Sequence, residues 1–380
     1  MANINIKDQI HSEFIEYLST LGYTVDNGDI LPPDILSKDD IRRFHIGQRR
    51  EVVDKGLKSL GRSTEKLISK YFADGTDVNP ALISPTLIRI DLSDSWEGRL
   101  FRLASLLWNV PVTTGYGRRM RYLVIDEHNE KLIGIFALKD PVFNLAVRDR
   151  WVGWNGNQRK NKLVDVMDAY VIGAVPPYSY LLGGKLVASL VASQKVAKDF
   201  SAKYSKSKGI ISNKSKKPKL AMITTTSALG RSSIYNRLRV GDIKFNSVGF
   251  TDGWGHFHVS DEMFIKLRSI LIDEGHQYAN GYKFGNGPNW RIRVIRAACS
   301  RIGIPDSIIR HGVQREVFVV PLGVNSKEFL KGEDKKFQAF SLSTEYLSDF
   351  CKERWILPRT AWDMRYQEVQ KKQILDKLYD

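Results

Sequence analysis

Two glycines and a lysine, Gly183, Gly184 and Lys185 in "YSYLLGGKLVASLVASQKVAKDF", stand between a strand-like run and a helix-like one. The free amide N–H groups of a helix N-terminus and the positive end of its dipole capture anions. Glycines there let backbone approach a pyrophosphate without a Cβ clash. Leu182 to Lys185 is therefore a candidate phosphate cradle. A diglycine also makes a tight strand-to-helix turn and nothing more, and spacing alone leaves both readings open.

In "TTTSALGRSSIYNRL", Ser227, Ser232 and Ser233 surround the start of a predicted short helix at 230–238. There they cap it or, for Ser233, join a reacting site. Tyr235 in its first turn is either a general acid or ordinary core. Asp140, Asp165 and Asp168 lie near strand ends, where at least one can serve as a general base, and Asp168 is the candidate taken forward. His256 and His258 alternate in "GWGHFHV"; on a strand they face one side, with His311 as the one distant third ligand for a metal. No closer His or Cys completes that set, so no metal is expected. A nuclease needs clustered acids for metal ions, and the sequence has no such cluster.

Polyanion chemistry has a broader base. "VRDRWVGWNGNQRKNKL" interleaves Arg148, Arg150, Trp151 and Trp154 with further cations, and arginines grip phosphates while indoles stack on unpaired bases. A turn held by an Arg148–Asp149 pair with packed tryptophans is the structural alternative. Between residues 200 and 241 there are seven Lys, three Arg and no acid. Lys214, Lys216, Lys217, Arg231 and Arg237 fall in that stretch. Arg118 and Arg119, and Arg291 and Arg293 on a later helix, extend the candidate nucleic-acid set.

The elements that must position these residues follow from periodicity. Residues 1–80 read as mostly helical, with Ser37 as an N-cap and breaks at Gly61 and Gly75. A helix is predicted at 96–108. "RRMRYLVIDEHNEKLIGIFALKDP" reads as strand, polar turn, strand. A further strand at 163–178 stops at Pro176 and Pro177, which cannot donate to a ladder. One long helix then runs to 204, with Leu186, Leu190, Ser193, Ala197, Phe200 and Tyr204 in a single stripe. Residues 205–219 carry six lysines and read as a mobile basic loop or hairpin. "LAMITTT" is a strand, 244–259 two strands about a turn, 261–274 and 289–303 helices flanking a glycine-rich loop, and "RHGVQREVFVVPL" a strand. The class is mixed α/β (α+β).

Composition bounds the rest. The chain has 380 residues, 42% of them hydrophobic, and a formal net charge of +16, which favours a polyanionic partner, with nucleic acid first. Two cysteines, Cys299 and Cys351, in unrelated contexts exclude a disulfide framework and a structural zinc site. With no apolar run long enough for a membrane span and no signal-peptide pattern, a soluble, cytoplasmic protein without membrane contact is expected.

Taken in order, "GYGRRMRYLV", "LIGIFALKDPVFNL", "RDRWVGW", "VMDAYVIGAVPPYSYLLGGKL", "TTTSALGRSSIYNRL" and "GWGHFHV" resemble the DruA family of Druantia anti-phage systems, over roughly residues 90 to 320. The resemblance implies defence against phage alongside other defence-system proteins. The strand order and the Tyr-bearing helix also resemble the GNAT acyltransferase fold, and more remotely the phage Mom proteins that modify adenine in DNA. That likeness implies a helical region at 1–90, a GNAT-like core at 91–260 and a basic C-terminal extension at 261–380. It further implies an acyl-CoA-type donor held at Leu182, Gly183, Gly184 and Lys185, Tyr235 where such enzymes often keep a general acid, and transfer of a small group to nucleic acid. The chain departs from the GNAT phosphate pattern at two points, Tyr180 and Lys185.

Overall fold

The computed structural model describes residues 6–26, 29–35, 37–112, 117–206, 217–281 and 288–379. It divides into two compact units, one of Met1–Gln48 with Thr251–Arg315 and one of Arg49–Phe250 with Glu316–Asp380.

The smaller unit is largely helical. Ile6–Thr20, Asp261–Asp273 and Pro288–Arg301 bury Phe14, Leu18, Leu267, Leu271, Val294, Ala298 and Cys299 against one another. Ser260 caps Asp261–Asp273 by accepting the Met263 amide at 3.1 Å, as an N-cap serine should. The Ser37 cap expected from sequence is also present, its Oγ accepting the Asp40 amide at 3.1 Å.

The larger unit is built on a seven-stranded sheet. Its strands are β1 (Pro85–Ile90), β2 (Arg119–Asp126), β3 (Lys131–Lys139), β4 (Val166–Ala174), β5 (Met222–Thr226), β6 (Asn246–Phe250) and β7 (Glu316–Pro321). The spatial order is β6-β7-β5-β4-β3-β2-β1. β1 to β4 form an antiparallel meander, β4 and β5 pair in parallel, and β7 pairs antiparallel with both β5 and β6. The β2–β3 hairpin turns on Glu127 to Glu130, where Glu130 takes φ 59°. Both strands of that hairpin are apolar almost throughout because both sheet faces are covered.

On one face Tyr122, Val124, Phe136, Leu138, Met167, Ala169 and Ile172 pack under Leu186, Leu190, Val196 and Phe200. On the other, Leu123, Ile135, Ala137 and Val171 meet Leu100, Phe101 and Leu103 of the helix Trp96–Ser105. Further along that second face Val166, Met222 and Val319 meet Val152, Trp154, Phe329 and Leu330. Two separate apolar clusters thus share one face.

Three expectations are corrected. The long helix 183–204 is two helices, Gly183–Leu190 and Gln194–Tyr204. Ser193 is extended between them (ψ 153°) and the Gln194 amide bonds to Leu342 O at 2.9 Å, outside the helix ladder. The apolar stripe survives the break, since only Ala197 of its six members is more than marginally exposed. Residues 230–238 are turns, not a helix, because Ser232 Oγ takes the amides of Ile234 and Tyr235 locally and Arg237 adopts φ 58°. Residues 251–260 are irregular apart from a single bridge between Trp254 and Arg310. His256 and His258 therefore lie in a turn, and strand alternation does not align them.

The strand β1 and the short helices Ala146–Val152 and Gly156–Lys162 had no counterpart in the sequence reading. No helix among the described residues is long and apolar enough to cross a membrane.

Candidate functional site

The two apolar clusters of the second sheet face are separated by polar side chains on three neighbouring strands. Lys139 on β3 stands opposite Asp168 on β4, which stands opposite Thr224 on β5. Lys139 Nζ lies 3.7 Å from Asp168 Oδ2, and Thr224 Oγ1 donates to Asp168 Oδ1 at 2.8 Å. Tyr170 completes the patch, its ring centroid 5.7 Å from Lys139 Nζ; burial raises its hydroxyl above the ordinary tyrosine range, with Arg121 and Arg119 opposing. Both members of the ion pair keep part of their surface open to solvent. A carboxylate beside one cation and one hydroxyl makes Asp168 the candidate proton acceptor of this patch.

This patch lies where two strands part. β4 and β5 pair only from Val166↔Met222 to Ala169↔Thr225, after which β4 continues to Ala174 beside β3 alone. Five residues at about 3.3 Å each make that unpaired edge roughly 16 Å long. At its far end sits the diglycine turn. Tyr178, just before it, is anchored by donating to Asp126 at 2.9 Å and accepting from Asn129 at 2.9 Å. The left-handed residue of the turn is Leu182 (φ 58°), not a glycine.

Gly183 is required for a different reason: a Cβ on it would lie 2.6 Å from the Tyr178 carbonyl oxygen and 3.2 Å from Ala174 Cβ. A Cβ on Gly184 would lie 3.2 Å from Ile234 Cδ1. Lys185 Nζ donates to Ile234 O at 3.1 Å and lies 5.2 Å from the Trp355 ring; burial holds its ammonium below the usual lysine range. The first turn of this helix is thus covered by the protein's own 230–238 segment. As it stands the corner does not fit a pyrophosphate, and its glycines serve close packing. Gly183→Ala is expected to cost about 1–3 kcal/mol by overpacking and to lower the thermal midpoint by several degrees. A variant melting with the wild type would return the glycine to a ligand-binding role.

The other sequence candidates scatter. Tyr235 is buried in the core, stacked on Phe245 (5.5 Å) and edge-on to Phe318 (5.4 Å), its hydroxyl bonded to Thr225 and pushed up to about 12 by burial. Ser233 is exposed on the turn, away from any base in the described contacts. Asp140 is taken by Arg118 (2.7 Å), whose other guanidinium nitrogens bond to Val164 O and Val166 O. Asp165 is buried and accepts the Lys219 amide at 2.8 Å.

Arg148 is fully buried, bonded to Asp149, Val142 O and Phe143 O; Trp154 is buried beside it, donating to Asp149 at 3.0 Å. Both therefore hold the turn, the structural alternative raised by their sequence. Trp151 is half-buried under Lys327, 4.0 Å from its ring. Arg150, Arg119, Arg231, Arg237 and Lys217 are exposed. In the smaller unit Arg291 pairs with Asp261 at 2.9 Å and lies over Phe264 at 4.2 Å, while Arg293 bonds to the Tyr278 hydroxyl. Lys214 and Lys216 lie outside the described residues.

His258 and His311 have ring centroids 6.0 Å apart, and among the described residues no three His, Cys, Asp or Glu side chains have metal-binding geometry. The sequence singled out Asp168 of this patch, but not Lys139, Thr224 or Tyr170, which the structure sets beside it. Each lies in a different stretch of the chain, and their cross-strand register alone brings them together.

The family model described as "Druantia protein DruA" matches residues 35–332, a longer reach than the 90–320 over which motifs were recognised. The chain is 45% identical over 379 residues to the Druantia protein DruA of Escherichia coli (strain UMEA 4076-1), covering 99% of this chain and 93% of that protein. No solved structure matches. A family match across most of the length, joined to 45% identity with a curated relative over nearly the whole chain, places this chain in the DruA family of Druantia anti-phage defence proteins.

Proposed function

We propose that the chain is a DNA-binding component of anti-phage defence, with the larger unit gripping the polyanion. The distribution of charge carries this reading. The smaller unit holds 13 Lys and Arg against 14 Asp and Glu, which leaves 45 against 28 in the larger, so the entire positive excess belongs to the unit that contains the sheet. Cations placed on phosphates release condensed counterions, a sequence-independent source of affinity.

Arg150, Arg231, Arg237 and Lys217 are exposed and have no ion pair among the described residues. Two of them flank the edge strand β6: the Arg150 helix packs there through Val147 against Gly249, and the Arg231 guanidinium lies 6.0 Å from the Phe250 ring. Lys214 and Lys216 belong to the same acid-free stretch of sequence. Anisotropy of a labelled duplex against salt is expected to give a linear log–log loss of affinity, and replacing Arg150 and Arg231 by Ala should flatten its slope by about 2. Affinity indifferent to salt and to both substitutions would remove the reading.

A second reading, a GNAT-like unit that transfers a small group to DNA, is favoured by one observation: Asp168, with Lys139 and Thr224, stands at the closed end of the opening between the parallel strands β4 and β5. The meander, parallel pair and inserted β7 support the GNAT-like plan. Asp168 is the proton acceptor in this reading and Tyr235 takes no part. No step is routed through acyl-CoA, because the diglycine corner is occupied by Ile234. Mass spectrometry of nucleosides after incubation of DNA with candidate donors tests it. A new nucleoside that vanishes with Asp168→Asn supports transfer; unmodified DNA with every donor leaves binding alone. Calorimetric titration with CoA, with Gly184→Trp as control, is expected to give no saturable heat.

A further inference from the structure

The smaller unit carries no net positive charge to recommend it, yet it holds a surface cavity of about 290 Å³ lined by Trp254, Arg296, Asp306, Ser307, Ile309 and Arg310. Trp254 is 51% exposed, an unusual cost for an indole, which is mostly buried in folded proteins. The Arg310 guanidinium lies 4.6 Å from its ring centroid, and the two residues are joined by a lone antiparallel bridge that fixes their backbones together. Ile309 supplies an apolar wall. Arg296 stands at the rim, its Nε 2.9 Å from Asp306 Oδ2, with both side chains about half exposed. Ser307 Oγ is enclosed without a hydrogen-bond partner, a hydroxyl whose desolvation nothing in the described chain offsets.

We infer that this cavity takes an unpaired nucleotide of single-stranded DNA. The base stacks on the Trp254 indole, and the flanking phosphate meets Arg310 and then Arg296. The observations converge on that class. A flat aromatic offers a stacking face to any base but reaches only bases not already stacked in a duplex. The two guanidiniums outnumber the single carboxylate, so the rim favours an anion. The volume lies at the small end of ligand sites and suits one nucleotide unit, not an extended duplex. The inference shares its partner's chemistry with the DNA-binding reading but none of its residues, so each can fail alone.

The full chain is titrated into labelled oligo(dT) and into a labelled duplex of the same length. Trp254→Ala is expected to weaken oligo(dT) binding about tenfold, the loss of one stacked base, and to leave duplex binding unchanged. Trp254→Phe, which keeps a stacking ring, should retain most of the single-strand affinity, and Arg310→Ala should reduce the salt slope on oligo(dT) by about 1. Thermal midpoints check that the variants are folded. Trp254→Ala binding oligo(dT) within twofold of wild type, or losing affinity for both ligands equally, overturns the inference. A duplex loss confined to the Arg150 and Arg231 variants bears on the larger unit alone.

Discussion

Lowering the pH from 7 to 5 is expected to loosen the smaller unit by several kcal/mol. His45, His258 and His311 are buried there, and burial, the largest cause for each, pushes them down to about 4, about 4 and about 3. Arg315 adds repulsion at His45 and His311, His258 and His45 add to it at His311, and His256 adds it at His258. Arg315 is itself lowered to about 10 by burial, and its Nη2 is 3.3 Å from His45 Nε2. The rings are spaced by Phe257, which stacks on His45 at 4.5 Å and meets His311 at 4.4 Å.

An unfolded histidine titrates near 6.5. Between that value and the folded one the unfolded chain binds a proton that the folded chain refuses. Stability is therefore complete above about pH 6.5 and falls as pH drops toward 4. For a group moved from 6.5 to 4, the loss at pH 5 is about 2 kcal/mol, and three such groups draw heavily on the 5–15 kcal/mol that a folded domain typically has. Hydrogen exchange read by mass spectrometry, corrected for the intrinsic pH dependence of exchange, localises the effect. Protection across 251–281 should fall from pH 7 to 5, and His258→Leu should flatten the response. Equal corrected protection at both pH values would show that these rings titrate normally.

Replacing Arg148 should be the most damaging single charge removal in the larger unit. The side chain is 0% exposed. Its Nε and Nη2 bond to Asp149 at 2.8 and 2.7 Å, its Nη1 to Val142 O at 2.7 Å, and its Nη2 also to Phe143 O at 3.0 Å. Asp149 in turn accepts from Trp154 Nε1 and Arg159 Nη1. Removing one partner from a buried charge network costs about 3–5 kcal/mol, because the groups left behind stay desolvated.

Arg148→Met is expected to lower the thermal midpoint by roughly 10 °C, at about 2–4 °C per kcal/mol for a unit of this size. Arg150→Ala, two residues on and exposed, should shift stability by less than about 0.5 kcal/mol and instead reduce DNA affinity. The pair separates scaffold from surface. An Arg148→Met protein that melts normally but fails to bind DNA would reverse the assignment.

Arg148 and Arg150 also show where sequence reasoning stops. Both belong to one Trp- and Arg-rich string, and nothing local says that the first turns inward to tie down two carbonyls while the second faces solvent. That outcome depends on which side of a seven-residue helix the sheet happens to cover.

Much else was readable from the chain alone, because local periodicity carries it. The β2–β3 hairpin, the strand Val166–Ala174, the helices Asp261–Asp273 and Pro288–Arg301, the mixed α/β class, the positive excess and the family motifs all come from neighbouring residues or from composition. Tertiary structure decided the remainder by joining distant residues. Register across three strands assembled Lys139, Asp168 and Thr224. Ile234, 49 residues beyond Lys185, turned the diglycine from a ligand cradle into a packed corner. Residues 1–48 and 251–315 made one unit from two ends of a long insertion. Burial and contact depend on what packs from elsewhere in the chain, and a pattern of period two or 3.6 says which face is apolar without naming what will cover it.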